Sequence, residues 1–158
     1  MDFKKSVVYQ IYPKSVCDSN GDGLGDLKGV TGKLDYLKEL GVDYIWMTPF
    51  FVSPQNDNGY DVEDYYNIDP RYGTMEDFEE LSREAAKRGI RLMLDMVFNH
   101  TSDRHEWFQK ALSGDPKYKN FYIFKKGKDN GEPPTNWESK FGGHAWKYVH
   151  KFTEIYQN

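Results

Sequence analysis

The chain has 158 residues, 38% of them hydrophobic and 29% charged, which suffices for one domain with a sizeable core and a solvated surface. A net charge of −4 excludes a basic footprint for nucleic acid and a polybasic membrane patch. The single cysteine, Cys17, excludes an internal disulfide framework. Aromatics are frequent, with 12 Tyr and 4 Trp, and such rings suit sugar faces and protein interfaces alike.

The opening MDFKKSVVYQIYP contains no long apolar segment, so neither a signal peptide nor a membrane span is expected, and a cytoplasmic setting is. Ser6 to Tyr12 is rich in β-branched and aromatic residues and stops at Pro13, which predicts a first strand. A polar, glycine-rich loop follows from Lys14 to Asp26. Leu27, Val30, Leu34 and Leu37 recur at spacings of three and four, the period of one amphipathic helix. Gly41 stands where that helix would end in a left-handed residue. Val42 to Met47 predicts a second strand, closed by Thr48-Pro49, and Phe50 to Gly73 reads as a long loop.

Thr74, with Asp77 three residues on, predicts a helix N-cap. Met75, Phe78, Leu81 and Ala85 predict the buried stripe of that second helix, which Gly89 ends. Ile90 to Phe98 predicts a third strand, apolar enough for burial on both sides, with Asp95 inside it and Asn99-His100 at its carboxyl end. The order is βαβαβ, the repeat unit of a parallel sheet with right-handed crossovers. A closed barrel needs eight strands and ~250 residues, so this α/β chain is expected to be the front part of something larger.

After His100 the character changes. Ser102 is expected to cap a short helix through Trp107, Phe108, Ala111 and Leu112. From Gly114 onward the sequence is polar, broken by Gly and Pro, and dense in aromatics: Tyr118, Phe121, Tyr122, Phe124, Trp137, Phe141, Trp146 and Tyr148. Residues 101–158 are expected to form an insertion over the strand end, and residues 1–100 the strand and helix part.

Three stretches could carry chemistry. In Asp18-Ser-Asn20-Gly-Asp22-Gly23-Leu24-Gly-Asp26, oxygen-bearing groups fall at alternate positions with Gly23 at the sixth. That is the first part of a calcium loop, but position twelve is Gly29 rather than a bidentate Glu. Magnesium would also accept such oxygens, and the same residues could simply bond their own backbone in a turn. Asp57-Asn58-Gly59-Tyr60 follows the second strand; it could set a carboxylate on sugar hydroxyls and a ring under a sugar face, or be a surface turn. Asp95 in an apolar run must be paired or hydrogen-bonded if ionised, and polar groups at the carboxyl ends of barrel strands line active sites. His100 could donate to a ligand hydroxyl.

Val8 to Pro13, the Asp18–Asp26 loop, Asn58-Gly59-Tyr60-Asp61, and Asp95 to His100 occur in the order found in the α-amylase family of glycoside hydrolases. The chain resembles that family over essentially its whole length. Thr48 to Gln55 and Asn136 to Gly143 bring the resemblance nearest to the branch of cytoplasmic α-glucosidases that act on short substrates. The resemblance implies a (β/α)8 TIM barrel, with a B domain inserted after the third strand. It implies Asp57, Tyr60 and His100 around a non-reducing glucose, Tyr60 as the stacking platform, and Asp95 holding the geometry from beneath. It also implies Asp18, Asn20, Asp22, the Leu24 carbonyl and Asp26 as ligands of calcium.

The implied activity is retaining cleavage of a small-molecule α-glucoside, trehalose 6-phosphate first and isomaltose-like short α-glucosides second. The implied partner is the rest of the same barrel. Retaining cleavage needs two carboxyl groups about 5–5.5 Å apart, and the resemblance places both on later strands. The expectation is therefore that these residues alone do not hydrolyse glycosides. A non-catalytic binding or interaction relative is the competing reading.

Overall fold

The computed structural model describes residues 3–140, 142–149 and 154–157. Phe141, one of the aromatics named above, lies outside them. The chain divides into two compact units, Met1–Asn99 and His100–Asn158.

The first unit is built on β1 (Val8–Ile11), β2 (Tyr44–Met47) and β5 (Arg91–Leu94). They form a parallel sheet in the order β1-β2-β5, in the register Val8↔Tyr44↔Arg91 through Ile11↔Met47↔Leu94. One face carries Ile11, Ile45 and Met47, which pack with helix residues Leu27, Val30, Leu34, Leu37, Leu81 and Ala85 into a single core. Full burial of each such aliphatic side chain stabilises by roughly 1.5–3 kcal/mol. The opposite face is more open: Val8, Trp46 and Met93 are 43%, 37% and 38% exposed, while Tyr44 on that face is buried.

Between these strands run α1 (Pro13–Val16), α2 (Leu27–Gly32), α3 (Leu34–Glu39), β3 (Phe51–Val52), β4 (Asp64–Ile68) and α4 (Met75–Lys87). The predicted single helix over Leu27 to Leu37 is two helices meeting at Lys33. Gly29 and Gly32 weaken the first, and the Thr31 hydroxyl donates to the Leu27 carbonyl at 3.0 Å, a back-bond that bends helices. The periodic leucines and Val30 still share one buried face. Gly41 and Gly89 adopt φ of 82° and 71°, the left-handed ends that were expected.

At the start of α4, Thr74 and Asp77 form a reciprocal capping box, with the Asp77 N–H on the Thr74 hydroxyl at 3.3 Å and the Thr74 N–H on the Asp77 carboxylate at 2.9 Å. Leu81 and Ala85 are buried and Phe78 half-buried, but Met75 is exposed, because the first turn overshoots the core.

Two further expectations for this unit are corrected. The long loop after β2 contains an antiparallel hairpin, β3 on β4. The third strand stops at Leu94, short of the expected Phe98. The Asp95 N–H on the Met47 carbonyl, at 3.0 Å, is the last ladder bond. Beyond it β2 gives way to Thr48-Pro49, and proline has no N–H to continue the pairing.

The second unit holds α5 (Glu106–Ser113), α6 (Pro116–Lys119) and an antiparallel sheet of β6 (Phe124–Lys126), β7 (Trp146–Val149) and β8 (Glu154–Gln157) in the order β6-β8-β7. The cap of α5 is His105, not Ser102: its Nδ1 accepts the Trp107 N–H at 3.1 Å. Ser102 lies one turn earlier, where its hydroxyl accepts the Arg104 N–H and its carbonyl the His105 N–H.

Candidate functional site

The carboxyl ends of β1, β2 and β5 bring together the loop after β2 and the segment after β5. The Tyr60 hydroxyl donates to the Asp95 carboxylate at 3.0 Å across 35 residues of sequence. Burial, joined by the hydrogen bond and charge of Asp95 and by the nearby Tyr12, pushes the Tyr60 phenol up to about 12. Its proton is therefore held at neutral pH, and the ring stays an uncharged surface with its edge fixed. Asp95 is half-buried and sits just past the strand rather than inside it; its carboxylate is satisfied by Tyr60, as a partly buried charge requires.

Asp57 lies on the same turn, and its carbonyl accepts the Tyr60 N–H at 3.0 Å. The turn is tight. Asn58 has φ of 52° and Gly59 of 99°, and a Cβ at Gly59 would lie 2.8 Å from the Pro49 carbonyl oxygen, so only glycine fits. Its base is organised by Asp61, which accepts the Ser53 hydroxyl at 2.9 Å, the Asn56 N–H at 2.8 Å and the Asp57 N–H at 3.1 Å. Behind it, Asp69 is 2% exposed and bound by Arg71 and the Ser53 N–H. Burial works against the Asp69 charge, but these bonds keep its carboxyl below the usual range. Sequence reasoning missed this scaffolding; the acidic residues flanking the turn were visible, their donors were not. His100 opens the second unit and is exposed.

In the Asp18–Asp26 loop the acidic side chains bond the loop's own amides. Asp18 accepts the N–H groups of Asn20 (3.1 Å), Gly21 (2.7 Å) and Gly23 (2.8 Å), and those of Gly23 and Gly21 foremost hold its carboxyl below the usual range. Asn20 and Asp22 accept the next alternate amides, and the Asn20 amide donates to Asp22 at 3.1 Å. Asp26 is buried as the N-cap of α2, accepting from Ser19 and from the Gly29 N–H. Burial raises its pKa, those bonds outweigh it, and the Asp18 charge opposes them. Among the described residues no group of three or more His, Cys, Asp or Glu is arranged to hold a metal. The donor chemistry nonetheless fits a hard cation. All donors are oxygens, each carboxylate offers about four lone-pair positions, and Asp18 and Asp26 repel each other.

No helix among the described residues is long and apolar enough to cross a membrane. Residues 10–158 match the family described as alpha amylase, catalytic domain. Over 95% of its length the chain is 57% identical to the trehalose-6-phosphate hydrolase of Bacillus subtilis. Over 98% it is 54% identical to the oligo-1,6-glucosidase of Bacillus cereus. The crystal structure of Bacillus licheniformis trehalose-6-phosphate hydrolase superposes with a TM-score of 0.94 at 58% identity, covering 98% of this chain and 28% of that one. The chain likewise spans 28% of the length of both curated relatives. It belongs to the alpha-amylase family, as an N-terminal portion of that family's (β/α)8 barrel.

Proposed function

We propose that the protein carrying this chain is an α-glucosidase-type glycoside hydrolase of the cytoplasm, and that these residues supply one wall of its glucose pocket. The observation that carries this is the Tyr60–Asp95 hydrogen bond at the carboxyl ends of the parallel strands, where barrels of this architecture place their chemistry. Tyr60 offers the ring face to a sugar, Asp57 its carboxylate to sugar hydroxyls, and Asp95 locks Tyr60 from beneath; His100 is added on the family resemblance. Asp18, Asn20, Asp22, the Leu24 carbonyl and Asp26 would hold calcium, whose charge would relieve the repulsion within that loop. The nucleophile and acid are assigned to other parts of the barrel, so these residues by themselves are proposed to be inactive.

Similarity to trehalose-6-phosphate hydrolases favours trehalose 6-phosphate as substrate. The nearly equal similarity to oligo-1,6-glucosidases makes isomaltose-like sugars the second reading. The test is kcat/KM of the native gene product on both sugars. Preference for trehalose 6-phosphate by tenfold or more (about 1.4 kcal/mol) supports the first reading, and the reverse preference supports the second. Absence of turnover on either, in clean protein that still binds glucose, overturns the enzymatic reading in favour of a binding protein.

A further inference from the structure

The two loops that the proposed function uses are joined by one side chain. Lys14 lies on α1, and its ammonium donates to the Asn58 side-chain oxygen at 2.6 Å across 44 residues of sequence. Asn58 is the left-handed residue between Asp57 and Gly59. The other end of Lys14 is fixed by the acidic loop. Its carbonyl accepts the Gly25 N–H at 2.8 Å, and the neighbouring Cys17 carbonyl accepts the Asp26 N–H at 3.1 Å. Contact there is so close that a Cβ on Gly25 would lie 2.2 Å from the Pro13 carbonyl oxygen, and one on Gly29 1.9 Å from the Cys17 oxygen. The carboxyl end of the 18–26 loop thus holds the backbone from which the Lys14 side chain reaches the 57–60 turn.

We infer that Lys14 is a positioning residue that couples the Asp18–Asp26 loop to the Asp57–Tyr60 turn, so that ordering the first loop orders the second. An ordinary surface lysine contact contributes little, because two mobile side chains must be immobilised to make it. Here both ends are already restrained: the Lys14 backbone by Gly25, and Asn58 by a turn anchored through the Asp57 N–H, the Tyr60 N–H and the Tyr60 hydroxyl. Asparagine is among the few residue types that adopt the left-handed conformation readily, and the ammonium supplies a charged donor, which strengthens the hydrogen bond that the Asn58 oxygen accepts. The functional meaning of the coupling rests on the sugar and calcium readings given above; the coupling itself does not.

Amide hydrogen exchange on the native gene product that carries this chain, read separately over 18–26, 57–61 and α4, tests this without sugar or turnover. Lys14→Met is expected to speed exchange of the Asp57 and Tyr60 amides about tenfold, with α4 unchanged, and Lys14→Arg to restore them. Asp18→Asn, which loosens the acidic loop without touching residues 57–61, is expected to speed the same two amides. Calcium chloride is expected to slow 18–26 and 57–61 together in the wild type, and 18–26 alone in Lys14→Met. Wild-type rates at Tyr60 in Lys14→Met, equal loss in α4, failure of Lys14→Arg to restore, or an Asp18→Asn effect confined to 18–26 would each overturn the coupling. Calcium without effect on 18–26 would overturn the cation reading instead, leaving the variant arms to decide the coupling.

Discussion

In residues 3–99 most of the core side chains are aliphatic and come from two layers, with Ile11, Ile45 and Met47 of the sheet against Leu27, Val30, Leu34 and Leu81 of the helices, and Phe50 and Tyr72 are the rings among them. In residues 100–149 contacts of ring against ring and ring against cation recur. Trp107 meets Phe121 edge-on at 5.1 Å, Phe108 meets Tyr122 at 5.0 Å, Trp137 stacks on Trp146 at 6.3 Å, and Lys110 lies over Tyr118 at 4.9 Å. Aliphatic layers gain mainly from area removed from water, so their cost on truncation scales with burial. Aromatic pairs contribute through geometry and tolerate exposure, about 0.5–1.5 kcal/mol each beyond burial. The difference teaches why one region announces its periodicity and the other does not.

The comparison is broken most visibly at Leu81. It is fully buried, so Leu81→Ala is expected to cost about 3 kcal/mol, whereas Trp137→Ala, at a ring 52% exposed, is expected to cost about 1 kcal/mol. Urea unfolding followed by separate probes in each region measures both, and equal costs would erase the contrast. A smaller effect sharpens the point at a polar site in the aliphatic region. Asp69→Asn is expected to lose about 2 kcal/mol at neutral pH, because a hydrogen-bonded, charged partner of Arg71 is removed.

The sign of its pH dependence follows from the lowered carboxyl pKa. The contribution is fully present above the unfolded value of about 4 and is lost as pH falls through the folded one. Urea midpoints of wild type and Asp69→Asn are therefore expected to converge in acid. The smallest expected effect is at the capping box, where Thr74→Ala should cost about 1 kcal/mol and Thr74→Ser much less, read from the same unfolding curves.

What was legible in the sequence was short-range. The leucine spacing, Gly41, Gly89 and the Thr74/Asp77 pair each depend on neighbours within a turn of helix, and each was found where it was expected. The end of β5 at Leu94 depends on Pro49 of another strand, and the break at Lys33 on a Thr31 back-bond competing with otherwise good periodicity. The β3–β4 hairpin was hidden because Phe51-Val52 is too short to show alternation. His105 capping α5 was missed because a ring nitrogen is a rarer acceptor there than the Ser102 hydroxyl. At the site, Asp57, Tyr60 and Asp95 stood out as residue types, but the Tyr60–Asp95 bond and the Lys14–Asn58 bond join positions 35 and 44 residues apart. No local pattern encodes such pairs.

The register of the parallel sheet has a kinetic consequence. Val8 pairs with Tyr44 about 36 residues later, and Tyr44 with Arg91 about 47 residues beyond that. Neither pairing can form by a local zipper; each requires closing a long loop before any ladder bond rewards it. Helix α4, with its start sealed by Thr74 and Asp77, can form early and locally. The sheet must then wait for the helices to collapse and carry the strands together. Folding speed in this unit is accordingly expected to respond more to changes at the helix faces that deliver β2 and β5 than to changes in the strands' own β propensity.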